Sequence, residues 1–376
     1  MTPFAHPDFT AQPFAAAPDA TFAPAPADGV LPDGFFTTTN LPTYVRVNGC
    51  WNLPREPRMD SALVLESNGE VWVREGRRVK AGDLVAMGEA EDGSGGIFVH
   101  LHAFHGGSDE GEFKFMTSEV SREKPIDYGL MARILIHERD RGGYLVWVTG
   151  PALVHSRARA DMTWFVENGF VGALLAGNAV AVHDIEASIY GTTLGMSGTG
   201  EATSGGHGLH MRAINRIRGA GSIKAAVEQG IVTNGIMHAC VRHQVPFVLC
   251  GSIRDDGPLP GVYTDALEAQ DAMRRHAVKA TMAILIATAL HAIATGNMLP
   301  AFVQEANGML RELPTICVDS SEFVVSKLKD RGTHQAFGVV TNAQDFMHIL
   351  RLYVERELAE RAAAARAAAP AVGATR

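Results

Sequence analysis

Residues 143–178, GYLVWVTGPALVHSRARADMTWFVENGFVGALLAGN, contain the unit that decides the fold class. The run 143–150 is apolar, partly β-branched and closed by a glycine, which is typical of a strand buried on both faces of a parallel sheet. Apolar residues recur at helical spacing over 157–168, and a second apolar run follows at 171–176. Strand, helix and strand in this order predict a βαβ unit with a right-handed crossover.

The same alternation recurs three times toward the C-terminus. Apolar runs at 245–250, 282–286 and 315–318 are each followed by a segment that can be helical. We therefore expect an α/β protein with five or six parallel strands in a domain over residues 131–352. The glycine fingerprint G-x-G-x-x-G is absent after the first strand, where 150–155 contains one glycine. A nucleotide site here would need an unusual phosphate loop.

Short β-rich runs separated by glycine turn signals precede this domain. They lie at 44–47, 62–65, 71–73, 84–86 and 97–101. We expect a small β-rich subdomain over residues 41–130. The first 33 residues hold seven prolines and no Lys or Arg, so residues 1–40 are predicted to be a disordered leader. Residues 353–376, rich in Ala and Arg, are predicted to be a helical or disordered tail.

Composition excludes some function classes. The chain has 376 residues and a formal net charge of −8, so it has no basic excess to neutralise phosphates and we expect no nucleic-acid partner. Its four cysteines form no C-x-x-C motif, which suits reduced thiols. We find neither a signal peptide nor about 18 consecutive apolar residues, and therefore expect a cytoplasmic protein without membrane contact.

The stretch VLCGSIRDDGPLP at 248–260 is the first candidate for chemistry. An apolar run stops at Gly251 and is followed by Arg254, Asp255 and Asp256. Ligands of open α/β sheets bind outside the carboxyl ends of the strands, and carboxylates with a guanidinium supply charge and proton-transfer capacity. A plain surface turn is the alternative, since Asp, Gly and Pro are common turn residues.

Polar residues also follow other predicted strands. Asp319 ends an apolar run, where an acid can accept the ribose hydroxyls of an adenosine. It can equally cap the following helix. Further polar residues near strand ends are Asn178, His183, Asp184, Glu186, Thr288 and His291. A lone histidine in an apolar stretch is more often a core residue than a catalyst, so the grouping of these residues is the stronger signal.

Two other groups carry weaker signals. His210 and Arg212 could hold a carboxylate, although a solvated basic helix face explains them as well. His100 and His102 share one face of a predicted strand, and His105 lies in a glycine-rich loop. A zinc site usually includes a carboxylate or thiolate, so an exposed polar strand is favoured and we expect no metal.

Several long blocks resemble one known family. Among them are GPALVHS at 150–156, ALLAGNAVAVHDIEASIYGTTLG at 173–195, VPFVLCGSIRDDGPLP at 245–260, TGNMLP at 295–300 and CVDSSEFVVSKLKDRGTHQAFGVVT at 317–341. The chain resembles the archaeal-type ornithine cyclodeaminases, also labelled a lysine-oxoglutarate reductase/saccharopine dehydrogenase conserved region. It is similar as well to the C-terminal part of bifunctional arginine dihydrolase/ornithine cyclodeaminases. The likeness covers about residues 41–350.

The resemblance implies an N-terminal β subdomain, a Rossmann-like domain that binds NAD, and conversion of L-ornithine to L-proline and ammonia with NAD⁺ regenerated in each turnover. The positions that match nucleotide-contacting blocks are Asn178, Ala179, Asp256, Thr288, Ala289, Leu290, His291, Asp319, Gly338 and Val339. We also expect a homo-oligomer. A dehydrogenase or cyclodeaminase of another amino acid, or a catalytically silent NAD-binding protein, stays an alternative.

The chemistry of this substrate suggests roles for other residues. The α-ammonium must lose a proton before hydride can leave its carbon, so a base is required near the nicotinamide. Asp255 is the first candidate for the base or for the partner of the δ-ammonium, followed by Asp184 and Glu186. Arg254 or Arg212 would hold the α-carboxylate.

Overall fold

The structure is a computed structural model that describes residues 4–104, 126–155, 157–197, 201, 203–255, 257–331 and 336–368. Its N-terminal part contains β1 (Phe22–Pro24), β2 (Thr43–Val47), β3 (Cys50–Asn52), β4 (Ala62–Leu65), β5 (Val71–Arg74), β6 (Leu84–Ala86) and β7 (Ile97–Val99). They form two antiparallel sheets, ordered β1-β6-β4-β5 and β3-β2-β7. Val45, Leu63 and Val73 lie in their shared core because alternate residues of a strand face the same side.

Residues 4–40 differ from the expected disordered leader. β1 pairs with β6, the Phe36 side chain is buried, and the Phe9 ring stacks on Trp51 with ring centroids 5.1 Å apart. Aromatic side chains spaced along the proline-rich segment bury enough apolar surface against the subdomain to offset the cost of ordering it. The overall composition of the segment did not reveal this.

The C-terminal part alternates strands and helices. Its strands are β8 (Leu145–Thr149), β9 (Ala173–Gly177), β10 (Thr192–Thr193), β11 (Met196–Ser197), β12 (Phe247–Cys250), β13 (Met282–Ile286), β14 (Val303–Gln304), β15 (Leu310–Arg311), β16 (Thr315–Asp319) and β17 (Ala336–Val340). Its helices are α1 (Tyr128–Asp140), α2 (Ala152–His155), α3 (Arg159–Glu167), α4 (Asn178–Tyr190), α5 (Leu209–Ala220), α6 (Ile223–Glu228), α7 (Ile236–Arg242), α8 (Ala266–Ala277), α9 (Ala289–Met298), α10 (Glu322–Arg331) and α11 (Ala343–Ala368).

Six of these strands form one parallel sheet in the order β12-β9-β8-β13-β16-β17. Numbered along the chain within this sheet, the order is 3-2-1-4-5-6, which is that of the Rossmann fold. The strand order reverses between β8 and β13, and this reversal is the topological switch point. The predicted α/β class, with a β-rich N-terminal region and a Rossmann-like sheet, is confirmed.

Helices cover both faces of the sheet. Along β8, Trp147 faces the layer of α1, α3, α4 and α11, while Val148 faces α8 and α9. Both side chains are fully buried, and each contributes roughly 2 kcal/mol of apolar burial. This two-sided burial explains why these strands appear as continuous apolar runs in the sequence.

Helix α11 extends past the expected start of the C-terminal tail at residue 353. Val354 is fully buried, and the ring of Tyr353 stacks on that of Tyr128 with centroids 5.9 Å apart. The helix therefore belongs to the layer that covers the sheet as far as this contact. Within the described residues, no helix combines the length and apolar character needed to cross a bilayer.

Candidate functional site

At the carboxyl edge of the parallel sheet, where its six strands end, the backbones on the two sides of the switch point lie very close together. The Gly150 N–H donates to the Ile286 carbonyl at 2.9 Å. A Cβ added at Gly150 would lie 1.7 Å from the carbonyl oxygen of Ala287. Ala287 itself has a left-handed backbone, with φ of 55°. The backbones that follow β8 and β13 thus approach each other so closely that only glycine fits at position 150. We call this the close approach at Gly150.

His291 lies across this edge. It is in the first turn of α9, and a Cβ added at Gly177, the end of β9, would be 3.1 Å from its Cε1 atom. Burial lowers the pKa of His291 below its usual value. The edge therefore carries a neutral imidazole above β9, two strands away from the strand that precedes α9.

Two helices begin at the same edge without a side-chain cap. Gly177 precedes α4 and Thr288 precedes α9, and neither supplies a capping hydrogen bond. The first amides of a helix carry partial positive charge and are suited to phosphate oxygens. Asn178 is buried, and its Oδ1 accepts from the Leu259 amide at 3.1 Å, so it holds the loop after β12 against α4.

Ala179, another predicted cofactor position, is half-buried in the first turn of α4, whereas several others lie on the same half of the sheet as β13. Ala289 and Leu290 are exposed in the first turn of α9. Asp319 is half-buried at the end of β16, and its Oδ1 accepts from the Ser321 amide at 2.9 Å, one residue before α10 begins. Gly338 and Val339 lie inside β17. Asp256 lies outside the described residues.

Asp255 has the local contacts of a turn. Its Oδ2 accepts from the Ser252 amide at 2.7 Å, and its own amide donates to the Ser252 carbonyl at 2.9 Å. The side chain is half-exposed, and Arg254 beside it is exposed. Arg212 is exposed on α5. The structure thus leaves these three charged groups at the surface.

Asp184 is fully buried and is occupied by structural contacts. Its Oδ1 accepts from Arg159 Nε at 2.6 Å and from the Ile236 amide at 2.9 Å, and its Oδ2 accepts from the Met237 amide at 2.8 Å. A carboxylate at the first amides of α7 also complements the helix dipole. Its contacts join α3, α4 and α7 in the interior.

Glu186 is fully buried as well, and it holds the β10–β11 hairpin. Its Oε1 accepts from the Thr192 hydroxyl at 2.9 Å and the Gly195 amide at 2.8 Å, and its Oε2 accepts from the Leu194 amide at 3.0 Å. Burial opposes ionisation, but the His183 ring and these donors together hold the pKa of Glu186 below its usual value. Glu186 is therefore a fixed anion.

A pair of histidines lies next to this anion. The rings of His155 and His183 have centroids 4.3 Å apart. The Nδ1 atom of His183 is buried without a hydrogen-bond partner in the described part of the chain, 3.7 Å from Oε2 of Glu186. Burial, followed by the proximity of His183, lowers the pKa of His155. Sequence reasoning singled out His183 but missed His155, which occupies the equivalent place after the neighbouring strand.

Exposed apolar side chains surround the edge. Ile253, Leu290, Phe323 and Val340 each follow or end a different strand of the sheet and are largely exposed. Apolar and aromatic side chains at the mouth of a crevice are typical of sites for planar organic ligands. The six-stranded sheet thus combines polar groups and an apolar rim at one edge.

One of the histidines considered for a metal site, His100, is held by a backbone contact. The Nε2 atom of His100 contacts the Ala5 carbonyl oxygen at 2.6 Å, and burial lowers the pKa of His100. His105 lies outside the described residues. Across the ranges that the structure describes, no three His, Cys, Asp or Glu side chains are grouped in a way that could hold a metal ion.

Comparisons with known proteins cover both parts of the chain. Residues 130–350 match the family described as "Arginine dihydrolase ArgZ-like, C-terminal, Rossmann fold". Residues 42–129 match "Arginine dihydrolase ArgZ-like, C-terminal, first region". Together the two matches extend from β2 to α11.

Individual relatives agree with these matches. The ornithine cyclodeaminase of Methanopyrus kandleri is 46% identical over 328 residues, which are 86% of this chain and 76% of that protein. The crystal structure of a conserved putative LOR/SDH protein from Methanococcus maripaludis has a TM-score of 0.81 at 41% identity and covers 91% of this chain and 99% of that one.

A third relative has been solved with ligands. The ternary complex of AgrE with ornithine and NAD⁺ has a TM-score of 0.58 at 36% identity, covering 92% of this chain and 47% of AgrE. AgrE of Nostoc is a bifunctional arginine dihydrolase/ornithine cyclodeaminase. This chain is therefore similar to about half of that longer protein.

Proposed function

The chain belongs to the ArgZ-like C-terminal family, and we propose that it is an NAD-dependent ornithine cyclodeaminase that converts L-ornithine to L-proline and ammonia. The observation that carries this proposal is the carboxyl edge at the switch point, where Gly150 closely approaches the Ala287 carbonyl beside two helices without side-chain caps. Relatives named ornithine cyclodeaminase, and the AgrE complex with ornithine and NAD⁺, support it.

The residues at this edge fit a dinucleotide. The first amides of α4 and α9 suit the pyrophosphate, and the close approach at Gly150 leaves no side chain there to exclude a pyrophosphate. Asp319 would accept ribose hydroxyls. Leu290 and Phe323 offer exposed apolar surface to a planar base. This assigns the adenosine to the β13–β16 half and the nicotinamide to the β8–β9 half.

The chain's own residues must then hold and deprotonate the amino acid. Bound NAD⁺ supplies a hydride acceptor that returns the hydride later in the same turnover. We assign Asp255 to the δ-ammonium, because it is half-exposed and follows β12 on the nicotinamide half. Arg254 or Arg212 would pair with the α-carboxylate. Asp184 and Glu186 are held by internal bonds, so we assign them to positioning.

Turnover with ornithine tests this proposal. Purified protein with NAD⁺ should release ammonia and proline in equal amounts from L-ornithine, without net accumulation of NADH. Asp319→Asn should weaken NAD⁺ binding about tenfold, since it removes one charged acceptor of a hydroxyl. Asp140→Asn is the matched control, because Asp140 is an exposed acid paired with Arg139.

The other outcomes are distinct. Steady formation of NADH would indicate a dehydrogenase. Turnover of a longer or shorter diamino acid, with none of ornithine, would assign the enzyme to that other substrate. Binding of NAD⁺ without any turnover would indicate a silent nucleotide-binding protein. The homo-oligomer, the cytoplasmic location and the lack of a nucleic-acid partner stay predictions.

A further inference from the structure

The His155–His183 pair has no role in the site as assigned so far. It combines a half-buried imidazole, a second one that is 8% exposed, and a fixed anion behind them. We propose that this pair is the base that takes the proton from the substrate's α-ammonium, with Glu186 as the positioning residue. The proposal rests on the proposed function and adds to it the group that accepts the proton.

Position is the first argument. β8 and β9 are neighbours in register, with Thr149 opposite Ala176. His155 and His183 each lie six residues after the last residue of the preceding strand, which is Thr149 for β8 and Gly177 for β9. His183 lies about 7.5 Å along α4 from its first residue, and His155 is the last residue of the one-turn helix α2. The pair therefore lies within reach of the carboxyl edge, on the half assigned to the nicotinamide.

Orientation is the second argument. Both oxygens of Glu186 are held by donors of the β10–β11 hairpin, so this carboxylate cannot turn to meet a substrate. Its Oε2 lies 3.7 Å from Nδ1 of His183. A nearby carboxylate favours the tautomer with the proton on Nδ1 and stabilises the imidazolium. That leaves the lone pair on Nε2 as the acceptor.

The protonation state is the third argument. The titratable groups that face the His183 ring are His155 from α2 and Glu186 from its own helix, and the hairpin contributes the Thr192 hydroxyl and two amides to Glu186. Burial lowers the pKa of His155, which favours its neutral form at the start of the reaction. Two imidazoles in contact accept one proton as a unit.

The step balances without a further reactant. An N–H bond of the α-ammonium breaks, its electron pair stays on nitrogen, and an N–H bond forms on the imidazole. The same proton can return to the amine that leaves as ammonia. No electrons are transferred to or from the protein, and the pair is restored at the end of each turnover.

Variants at the pair test this role in the full chain with NAD⁺ and L-ornithine. His183→Gln and His155→Gln should each lower kcat by about 100-fold or more, which is the usual contribution of a general base, and change the Kd for NAD⁺ less than threefold. His276→Gln is the matched control. His276 is also half-buried with a pKa lowered by burial, but it bonds the Tyr144 hydroxyl near the opposite edge of the sheet.

Glu186→Gln separates positioning from support of the fold. The charge of Glu186 raises the pKa of His155, so losing it should lower that pKa, and the acidic limb of kcat/KM against pH should move to lower pH while kcat falls about tenfold. A structural anchor alone would reduce the folded fraction and leave that limb in place.

Each result decides between the two proposals. Normal kcat in folded, NAD⁺-binding His183→Gln and His155→Gln would overturn the base role and leave the proposed function intact. An unmoved acidic limb in folded Glu186→Gln would overturn its positioning role. A wild-type protein that binds NAD⁺ and turns over no ornithine would overturn the proposed function, and the base role with it.

Discussion

The two edges of the parallel sheet are built from different interactions. The amino edge, where the strands begin, is held by linked ion pairs: Arg311 contacts Glu138 in the interior at 3.0 Å and the partly exposed Glu305 at 2.9 Å, and Arg141 contacts Glu305 at 2.6 Å. The carboxyl edge has the close approach at Gly150, helices without side-chain caps and exposed apolar side chains. Beside it lies the Nδ1 atom of His183, which has no hydrogen-bond partner among the described residues.

Contacts between the N-terminal β-rich part and the Rossmann-like part are also made away from the carboxyl edge. Arg77 contacts Asp271 of α8 at 2.7 Å, and Arg274 of the same helix donates to the Glu56 carbonyl at 2.7 Å. The Asn297 amide, in the last turn of α9, donates to Asp60 at 3.0 Å. These contacts lie along α8 and the end of α9, away from the strand ends. An ion pair and two further hydrogen bonds thus hold the two parts together at these points, while the polar groups of the carboxyl edge stay available to ligands.

Gly150→Ala should give the largest effect. A Cβ at this position would overlap the Ala287 carbonyl, so β8 and β13 would have to separate. We expect a loss of about 3 kcal/mol or more in the free energy of unfolding, together with loss of NAD⁺ binding. Denaturant unfolding and calorimetry measure the two. Gly219→Ala on α5, where an added Cβ meets nothing within 4 Å, should be neutral or slightly stabilising. Normal NAD⁺ binding by Gly150→Ala would show that the close approach at Gly150 is not needed for binding the dinucleotide.

Glu138→Gln tests the amino edge. Glu138 is fully buried and accepts from Arg311, so removing its charge leaves a cation with one partner fewer. Breaking such a buried pair costs about 3 kcal/mol. Thermal and denaturant unfolding should report this loss, whereas kcat per folded molecule should not change. Glu228→Gln, in an exposed pair with Lys224, is the control and should have no measurable effect. A fall in kcat for Glu138→Gln would mean that the two edges are coupled.

Asp255→Asn should give a smaller and more selective effect. If Asp255 binds the δ-ammonium, losing its charge should lower kcat/KM for ornithine about 10- to 100-fold, or about 1.4 to 2.7 kcal/mol. The Kd for NAD⁺ and the unfolding midpoint should stay as in the wild type, because the side chain makes a single local bond to the Ser252 amide. Unchanged kcat/KM would place Asp255 in an ordinary turn.

The pH dependence of stability should give the smallest effect. Burial lowers the pKa of four histidines: His100, His155, His276 and His291. The unfolded chain, with histidine pKa near 6.5, then binds more protons than the folded one at acidic pH, so stability is complete above about pH 6.5 and falls below it. His291→Gln and His276→Gln, one from each edge, should each flatten the slope by at most about 1.4 kcal/mol per pH unit. An equally steep slope in both variants would show that these rings do not set it.

The fold could be predicted from the sequence because both faces of the sheet are buried. That burial makes β8, β13 and β16 continuous apolar runs, whose bounds the sequence places within two residues. The order of strands, and hence the switch point, depends on packing between distant segments and has no local signal. The ordering of residues 4–40 depends in the same way on contacts between Phe9 or Phe36 and the β-rich part.

The candidate site could be predicted only in part. Asn178, His291 and Asp319 are found by the rule that ligands bind at strand ends, and all three lie at the carboxyl edge. Asp184 and Glu186 have the same residue type as a catalytic acid, but the sequence does not show that amides from α7 and the β10–β11 hairpin occupy them. Their partners are brought in by tertiary structure, which spacing along the chain cannot reveal.

Amide hydrogen exchange with and without NAD⁺ tests the difference between the edges most directly. We predict slower exchange on NAD⁺ addition in the segments that close the carboxyl edge, at 150–155, 177–183, 287–292 and 319–324, and unchanged exchange at the amino edge, at 138–143 and 303–312. Slower exchange confined to the amino-edge segments, or no change in either set at saturating NAD⁺, would contradict the assignment of the carboxyl edge as the site.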